Sequence, residues 1–137
     1  MRSFEVFEHT SDLGIIARGD SLEETLAGLC EGVFSLVASP SEVRREKRWV
    51  IKSRGDDLEE AAVRLLNEAL FVHETEGALF SRFDVAVRAG PDGVDLEARL
   101  EGEPYDPGRH RPFRYIKAAT YHCVSVRPHE ARMVFDV

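Results

Sequence analysis

The fold of this chain is decided near its start, by the stretch Glu8-His9-Thr10-Ser11-Asp12-Leu13-Gly14. Here an imidazole, two hydroxyls and a carboxylate stand between two apolar runs. Because Ser, Thr and Asp side chains bond readily to their own backbone, the stretch predicts a tight turn. Residues 3–6 alternate in polarity and residues 13–19 are mostly apolar, so the turn and its flanks together predict a β-hairpin. A second interpretation also stays open, in which Asp12 points into a functional site with its charge available.

Two helices are predicted from their start signals and from apolar residues at helical spacing. Ser21 and Glu24 have the spacing of a capping box, and Asp56 and Asp57 are suited to cap a second helix. The apolar positions of the first helix are Leu22, Leu26, Leu29, Cys30, Val33, Leu36 and Val37. Those of the second helix are Leu58, Ala62, Leu65, Leu66, Ala69, Leu70 and Val72. The second set leaves a polar opposite face with Glu59, Glu60, Arg64 and Glu68, as in helices that pack on one side.

Side chains that alternate in polarity predict the remaining strands. They place one strand over residues 49–52, a hairpin with arms at 83–87 and 94–100, and a last strand over 133–137. A further strand is expected over residues 115–126. Its inner face is expected to carry Ile116, Ala118, Thr120, His122, Val124 and Val126. Since strand pairs flank the helices, we expect a single α+β domain over residues 1–137, with two helices packed on a mostly antiparallel sheet.

Composition narrows the class of protein. The chain has 137 residues, of which 43% are hydrophobic and 31% charged, as expected of a soluble globular domain. Its sequence contains neither a run of about 20 apolar residues nor an apolar signal core at the start, so we expect a cytoplasmic protein. The net charge of −7 argues against a general nucleic-acid binder. Cys30 and Cys123 are expected to be small buried side chains rather than a disulfide or a metal pair.

A second unusual stretch covers residues 101–114. Its three prolines and two glycines predict a long irregular loop, and such loops in compact domains are often functional. Its second half is basic, since Arg109, His110, Arg111 and Arg114 lie there and Lys117 follows. A cationic patch on an acidic protein suits a phosphate group or an acidic protein surface.

With these features in place, the chain resembles the archease family. Four stretches in family order carry the resemblance: residues 8–14, Leu65-Leu66-Asn67-Glu68-Ala69-Leu70, Lys117-Ala118-Ala119-Thr120-Tyr121-His122, and Val134-Phe135-Asp136-Val137. Gly102-Glu103 and Arg109-His110 also fit the family pattern. The departures are mild: Ser11 replaces the usual alanine, Ala119 a common valine, and Cys123 a frequent glycine.

The resemblance implies an accessory protein rather than an enzyme. Archeases act on the GTP-dependent tRNA-splicing ligase, which joins RNA ends that carry a 3′-phosphate or a 2′,3′-cyclic phosphate. They promote guanylylation and repeated turnover of the ligase, so RNA is reached only through that partner, and no membrane is involved. Carried over to this chain, the resemblance implies a divalent cation, Ca²⁺ or Mg²⁺, held by Asp12, Asp136 and Val137. It further implies that Lys117, Arg109 and His110 contribute to activation of the partner.

Other functions fit parts of the same pattern. Carboxylate oxygens suit hard cations, but Asp12, Asp136 and the Val137 carboxylate meet only if the last strand pairs beside the first hairpin. A small metal-dependent hydrolase or nucleotide-processing enzyme would use Asp12, Asp136 and His122 around such a cation. A general protein chaperone is a third reading, although the sequence lacks the Met-rich surface that promiscuous binding favours.

Overall fold

The computed structural model describes residues 1–8 and 10–137. Over these residues the chain forms two α-helices, a short 3₁₀ turn at Pro40–Glu42, and seven strands. The helices are α1 (Leu22–Val37) and α2 (Leu58–Glu76). The strands are β1 (Ser3–Glu8), β2 (Asp12–Arg18), β3 (Lys47–Gly55), β4 (Ala78–Gly90), β5 (Gly93–Pro104), β6 (Ala118–Val126) and β7 (Glu130–Asp136). Every strand pair is antiparallel, which confirms the predicted α+β class.

The strands divide into two sheets, with orders β1-β2-β7-β6 and β3-β5-β4. Each helix contacts both of them: α1 packs on β2 and β4, and α2 packs on β3 and β6. The helices therefore form a layer between the sheets, where the sequence predicted helices on a single sheet. Consistent with this central position, α1 buries even its small and polar residues Thr25, Gly28 and Gly32.

Both helices begin as their capping residues predict. The Ser21 hydroxyl accepts a hydrogen bond from the Glu24 N–H at 3.1 Å. Asp57 caps α2 by accepting from the Glu60 N–H at 2.8 Å, whereas Asp56 precedes this cap and donates its own N–H to the Glu60 carboxylate. Each bond satisfies a backbone donor that a helix leaves free at its N-terminus.

The strands differ from their predicted bounds, and two of these differences, at the end of β5 and the start of β6, set the limits of the irregular segment. β5 continues to Pro104, so the irregular segment begins only at Tyr105. As the central strand of its sheet, β5 pairs on both sides through Gly102, where an added Cβ would lie 1.7 Å from the Leu79 carbonyl oxygen. The strand predicted from residue 115 begins at Ala118, and its register to β7 shifts between Thr120 and Ser125.

The register shift in β6 also changes which of its side chains are buried. The inner face predicted over residues 116–126 holds at its two ends, where Ile116 and Val126 are buried, but is wrong in the middle, where Ala119 is buried while His122 is exposed. Cys123 has a φ of 54°, outside the extended region, and this residue interrupts the period-two alternation.

The two cysteines differ in environment. Cys30 is buried on α1 as predicted, and burial raises the pKa of its thiol to about 12. The prediction that Cys123 is buried is wrong, since it lies exposed in the irregular part of β6.

Neither helix of the described chain is long and apolar enough to cross a membrane.

Candidate functional site

The pairing of β2 with β7 places Asp12 directly opposite Asp136. The last strand therefore lies beside the first hairpin, as a shared site for these residues requires. Their neighbours Leu13 and Phe135 also pair and are fully buried, so the two aspartates point to the other, outward face of the sheet. Directly opposed residues of antiparallel strands have Cβ atoms about 5 Å apart.

The two aspartate side chains have no partner of opposite charge in the described part of the chain. Asp12 is half-buried and Asp136 is exposed, and neither carboxylate forms an ion pair or a side-chain hydrogen bond with residues 1–8 or 10–137. Like charges directly opposite one another destabilise a strand pair. The position thus favours a ligand that brings positive charge. His9 of the same motif lies outside the described residues.

Lys117 lies at the edge of this site. Its backbone N–H donates to the Asp136 carbonyl at 2.8 Å, and the next residue, Ala118, is the β6 partner of Asp136. The Lys117 side chain is exposed, and its ammonium forms no ion pair with the described residues. The backbone of Lys117 is therefore adjacent to Asp136, while its ammonium is not paired with either carboxylate.

The donor atoms at this position are oxygens. No group of three or more His, Cys, Asp and Glu side chains in the described chain is arranged to hold a metal ion. Two carboxylates are thus a partial set, to which Val137, the neighbour of Asp136, would add an oxygen. Oxygen donors fit Ca²⁺ or Mg²⁺, and Mg²⁺ commonly retains several waters when few protein groups bind it.

Arg109 and His110 anchor the basic segment (residues 109–117) through bonds to a buried glutamate. Both donate to Glu103, and His110 Nε2 lies 3.1 Å from the Glu103 carboxylate. His110 is 5% exposed, and its Nδ1 accepts the Asp106 N–H at 2.8 Å. Since Nδ1 accepts, Nε2 carries the proton. His110 is therefore engaged in bonds within the molecule. Any effect that it has on a partner is indirect, through the loop that it stabilises.

Glu103 is the centre of this network and is 3% exposed. Its carboxylate also accepts the Arg44 N–H at 2.6 Å. Burial on its own raises the pKa of Glu103, but the bonds from Arg44, His110 and Arg109 together outweigh burial and hold that pKa below its ordinary value. Glu103 thus stays ionised while it joins the loop to the segment before β3.

The arginines of the basic segment are less available than the sequence suggests. Arg109 pairs with Glu103, Arg114 pairs with Glu8, and Arg111 lies 3.2 Å from the Glu42 carboxylate. Each of these arginines therefore pairs with an acidic side chain of the same molecule. Within the basic segment, Lys117 is the cation that pairs with none of the described residues and can contact an outside group.

His122 is not placed for a role with Asp12 and Asp136. It lies four residues beyond Ala118, in the irregular part of β6, where its Nε2 is 3.6 Å from the Cys123 sulfur. The alternative metal-dependent hydrolase therefore lacks the histidine it was expected to use.

Known proteins resemble this chain over nearly its whole length. The family model for the archease protein family matches residues 4–137. The chain belongs to the archease family. It is 34% identical to the archease of Pyrococcus abyssi over 92% of this chain and 89% of that one. It is also 34% identical to the archease of Methanopyrus kandleri, over 97% and 95% of the two chains. The solution structure of Methanobacterium thermoautotrophicum protein 1598 superposes with a TM-score of 0.84 at 30% identity, over 98% of each chain.

The four stretches that carry the archease resemblance meet in space. The first and last supply Asp12 and Asp136 as opposed residues. The third supplies Lys117 and Ala118 beside Asp136. The second lies on α2, and its Asn67 bonds to Ala119. The sequence did not predict a role for Asn67. An asparagine on the polar side of a helix does not indicate that its side chain bonds to a strand far away in the chain.

Proposed function

We propose that this protein is a cytoplasmic accessory factor of the GTP-dependent tRNA-splicing ligase, which it activates by promoting guanylylation and repeated turnover. We further propose that it binds a divalent cation, Ca²⁺ or Mg²⁺, through Asp12, Asp136 and Val137. Membership of the archease family supports the first proposal. The observation that carries the second is the pair of opposed carboxylates at Asp12 and Asp136, which have no partner among residues 1–8 and 10–137.

Each part of the site has a distinct role in this proposal. Asp12 and Asp136 hold the cation, which when bound supplies a compact positive charge that relieves their mutual repulsion. Lys117 presents its free ammonium to an anionic group of the ligase. Arg109 and His110 support the segment that leads to Lys117. The net charge of −7 and the internally paired arginines support contact with RNA through the ligase alone.

A guanylylation assay tests the proposal. Purified ligase is incubated with GTP and the cation, with or without this protein, and the covalent ligase–GMP adduct is followed in time. We expect faster adduct formation when the protein is present, and no GTP turnover by the protein alone. Turnover by the isolated protein would instead favour a nucleotide-processing enzyme.

The Lys117→Ala variant makes the same assay a test of one residue. We expect it to weaken ligase activation while changing the free energy of unfolding by no more than about 0.5 kcal/mol, since the side chain is exposed. Lys47→Ala is the matched control, because Lys47 is an exposed lysine at the start of β3 in the other sheet. Equal activation by the Lys117→Ala variant and the wild type would remove Lys117 from the proposal. A large drop in its melting temperature would give Lys117 a structural role.

A further inference from the structure

Asn67 forms a two-bond contact between α2 and the backbone of β6. Its amide nitrogen donates to the Ala119 carbonyl at 3.1 Å, and its amide oxygen accepts the Ala119 N–H at 2.7 Å. The side chain is half-buried on α2. A side-chain amide carries its donor and its acceptor on separate atoms, so it can bond to both backbone groups of one residue.

The start of β6 needs such support. β6 is the last strand of its sheet, so among the described residues one of its edges has no neighbouring strand. On the other edge, only Ala118, Ala119 and Thr120 pair with β7 before the register shifts. Unpaired backbone groups that leave water cost free energy, and Asn67 satisfies those of Ala119 as a neighbouring strand would.

This contact lies next to the candidate site. Ala119 follows Ala118, the residue opposite Asp136, and is two residues from Lys117, whose N–H bonds to the Asp136 carbonyl. We propose that Asn67 is a positioning residue, which holds the start of β6 against α2 and so fixes Lys117 beside Asp136. The role in activation rests on the proposed function, whereas the hold on β6 does not.

Amide hydrogen exchange tests the hold on β6 without the ligase. In Asn67→Ala we expect the exchange rates of the Ala119 and Lys117 amides to rise about tenfold more than those of β2 and β5, because local opening releases the strand start. Asn67→Asp keeps the acceptor and loses the donor, and provides a second variant should Asn67→Ala fold poorly. Ser53→Ala is the matched control, since it removes a 2.7 Å side-chain bond from β3 to the Ala61 carbonyl in the first turn of α2. A uniform rise in exchange across the protein in both Asn67 variants would overturn the inference.

A double-mutant cycle then tests the link to Lys117. We expect Asn67→Ala to lower ligase activation by about tenfold, and to have no further effect when Lys117→Ala is already present. Independent, additive losses in the double variant would overturn the positioning role. If the wild-type protein fails to activate the ligase, the proposed function fails, while the exchange experiment still decides whether Asn67 holds β6.

Discussion

At the scale of single residues, the proposed cation site depends on Asp12 and Asp136. Their carboxylates face one another across two strands without a described partner. A cation that binds the folded state alone must stabilise it, by about 2.7 kcal/mol at a hundredfold excess over the dissociation constant. We therefore expect Ca²⁺ or Mg²⁺ to raise the melting temperature of the wild-type protein, and a chelator to reverse the rise.

Substitutions locate that cation effect. Asp12→Asn and Asp136→Asn are each expected to lose most of the increment in melting temperature. Asp92→Asn serves as the control, since Asp92 is an exposed carboxylate in the turn between β4 and β5. Retention of the full cation effect in both site variants would place the cation elsewhere.

Glu103 makes the stability of the loop depend on pH. Its pKa is lower in the folded protein than in the unfolded chain, so its contribution is present above the unfolded pKa and is lost as the pH falls through the folded pKa. We expect the wild-type protein to lose stability below about pH 5, where an unfolded glutamate begins to bind protons. Glu103→Gln should lower stability at neutral pH and make this acid-induced loss shallower.

Urea unfolding between pH 3 and pH 7 measures both effects. Glu46→Gln is a suitable control, because Glu46 is exposed and its ion pair with Arg44 is long, at 3.8 Å. Equal slopes of unfolding free energy against pH in wild type and Glu103→Gln would show that the Glu103 network does not carry the acid sensitivity.

At the scale of elements, the irregular part of β6 contains a residue with a left-handed backbone. Cys123 has a φ of 54°, in the left-handed region that glycine adopts without strain. We expect Cys123→Gly to be neutral or to stabilise the protein by up to about 1 kcal/mol, since glycine relieves the strain but frees the unfolded chain. Cys123→Val should destabilise it by about 1 to 2 kcal/mol, because a β-branched side chain fits this backbone poorly.

Equilibrium unfolding in urea distinguishes these variants of β6. The cysteine is exposed, so loss of core packing does not confuse the comparison. A valine variant as stable as the wild type would mean that the backbone at residue 123 relaxes freely.

For the whole molecule, the defining feature is the helical layer between two sheets. Phe34 on α1 is fully buried, and its ring centroid lies 5.0 Å from that of Phe80 and 6.1 Å from that of Phe83 on β4. Phe34→Ala should cost about 3 to 5 kcal/mol of unfolding free energy, through lost burial and the cavity it leaves. Phe71→Ala, at a phenylalanine that is 59% exposed on α2, should change it by no more than about 0.5 kcal/mol.

Thermal and urea unfolding of the two phenylalanine variants checks this arrangement. Similar losses in both would contradict a core centred on the inter-sheet layer. Because the substitutions remove the same side chain from the two helices, helix propensity cancels in the comparison and the difference reports burial.

Short-range features of the sequence predicted most of the elements. Helix caps such as Ser21 and Asp57 act within a few positions of the chain, and so does the alternation in β4 and β5. Such features can be recognised in the sequence before the fold is known. The predicted site residues came from the archease resemblance. The residues alone gave one condition for a shared site of Asp12, Asp136 and Val137, namely that β7 pairs beside the first hairpin.

Tertiary structure decided what depends on contacts between distant parts of the chain. It divided the strands into two sheets, set Asp12 opposite Asp136, matched the loop arginines with acids, and brought Asn67 to Ala119. It also placed His110 inside and Cys123 outside, against the tendency of each residue type. The physical reason is that a period-two pattern specifies which side chains share a face of a strand, but leaves open which strand lies beside it and in what register.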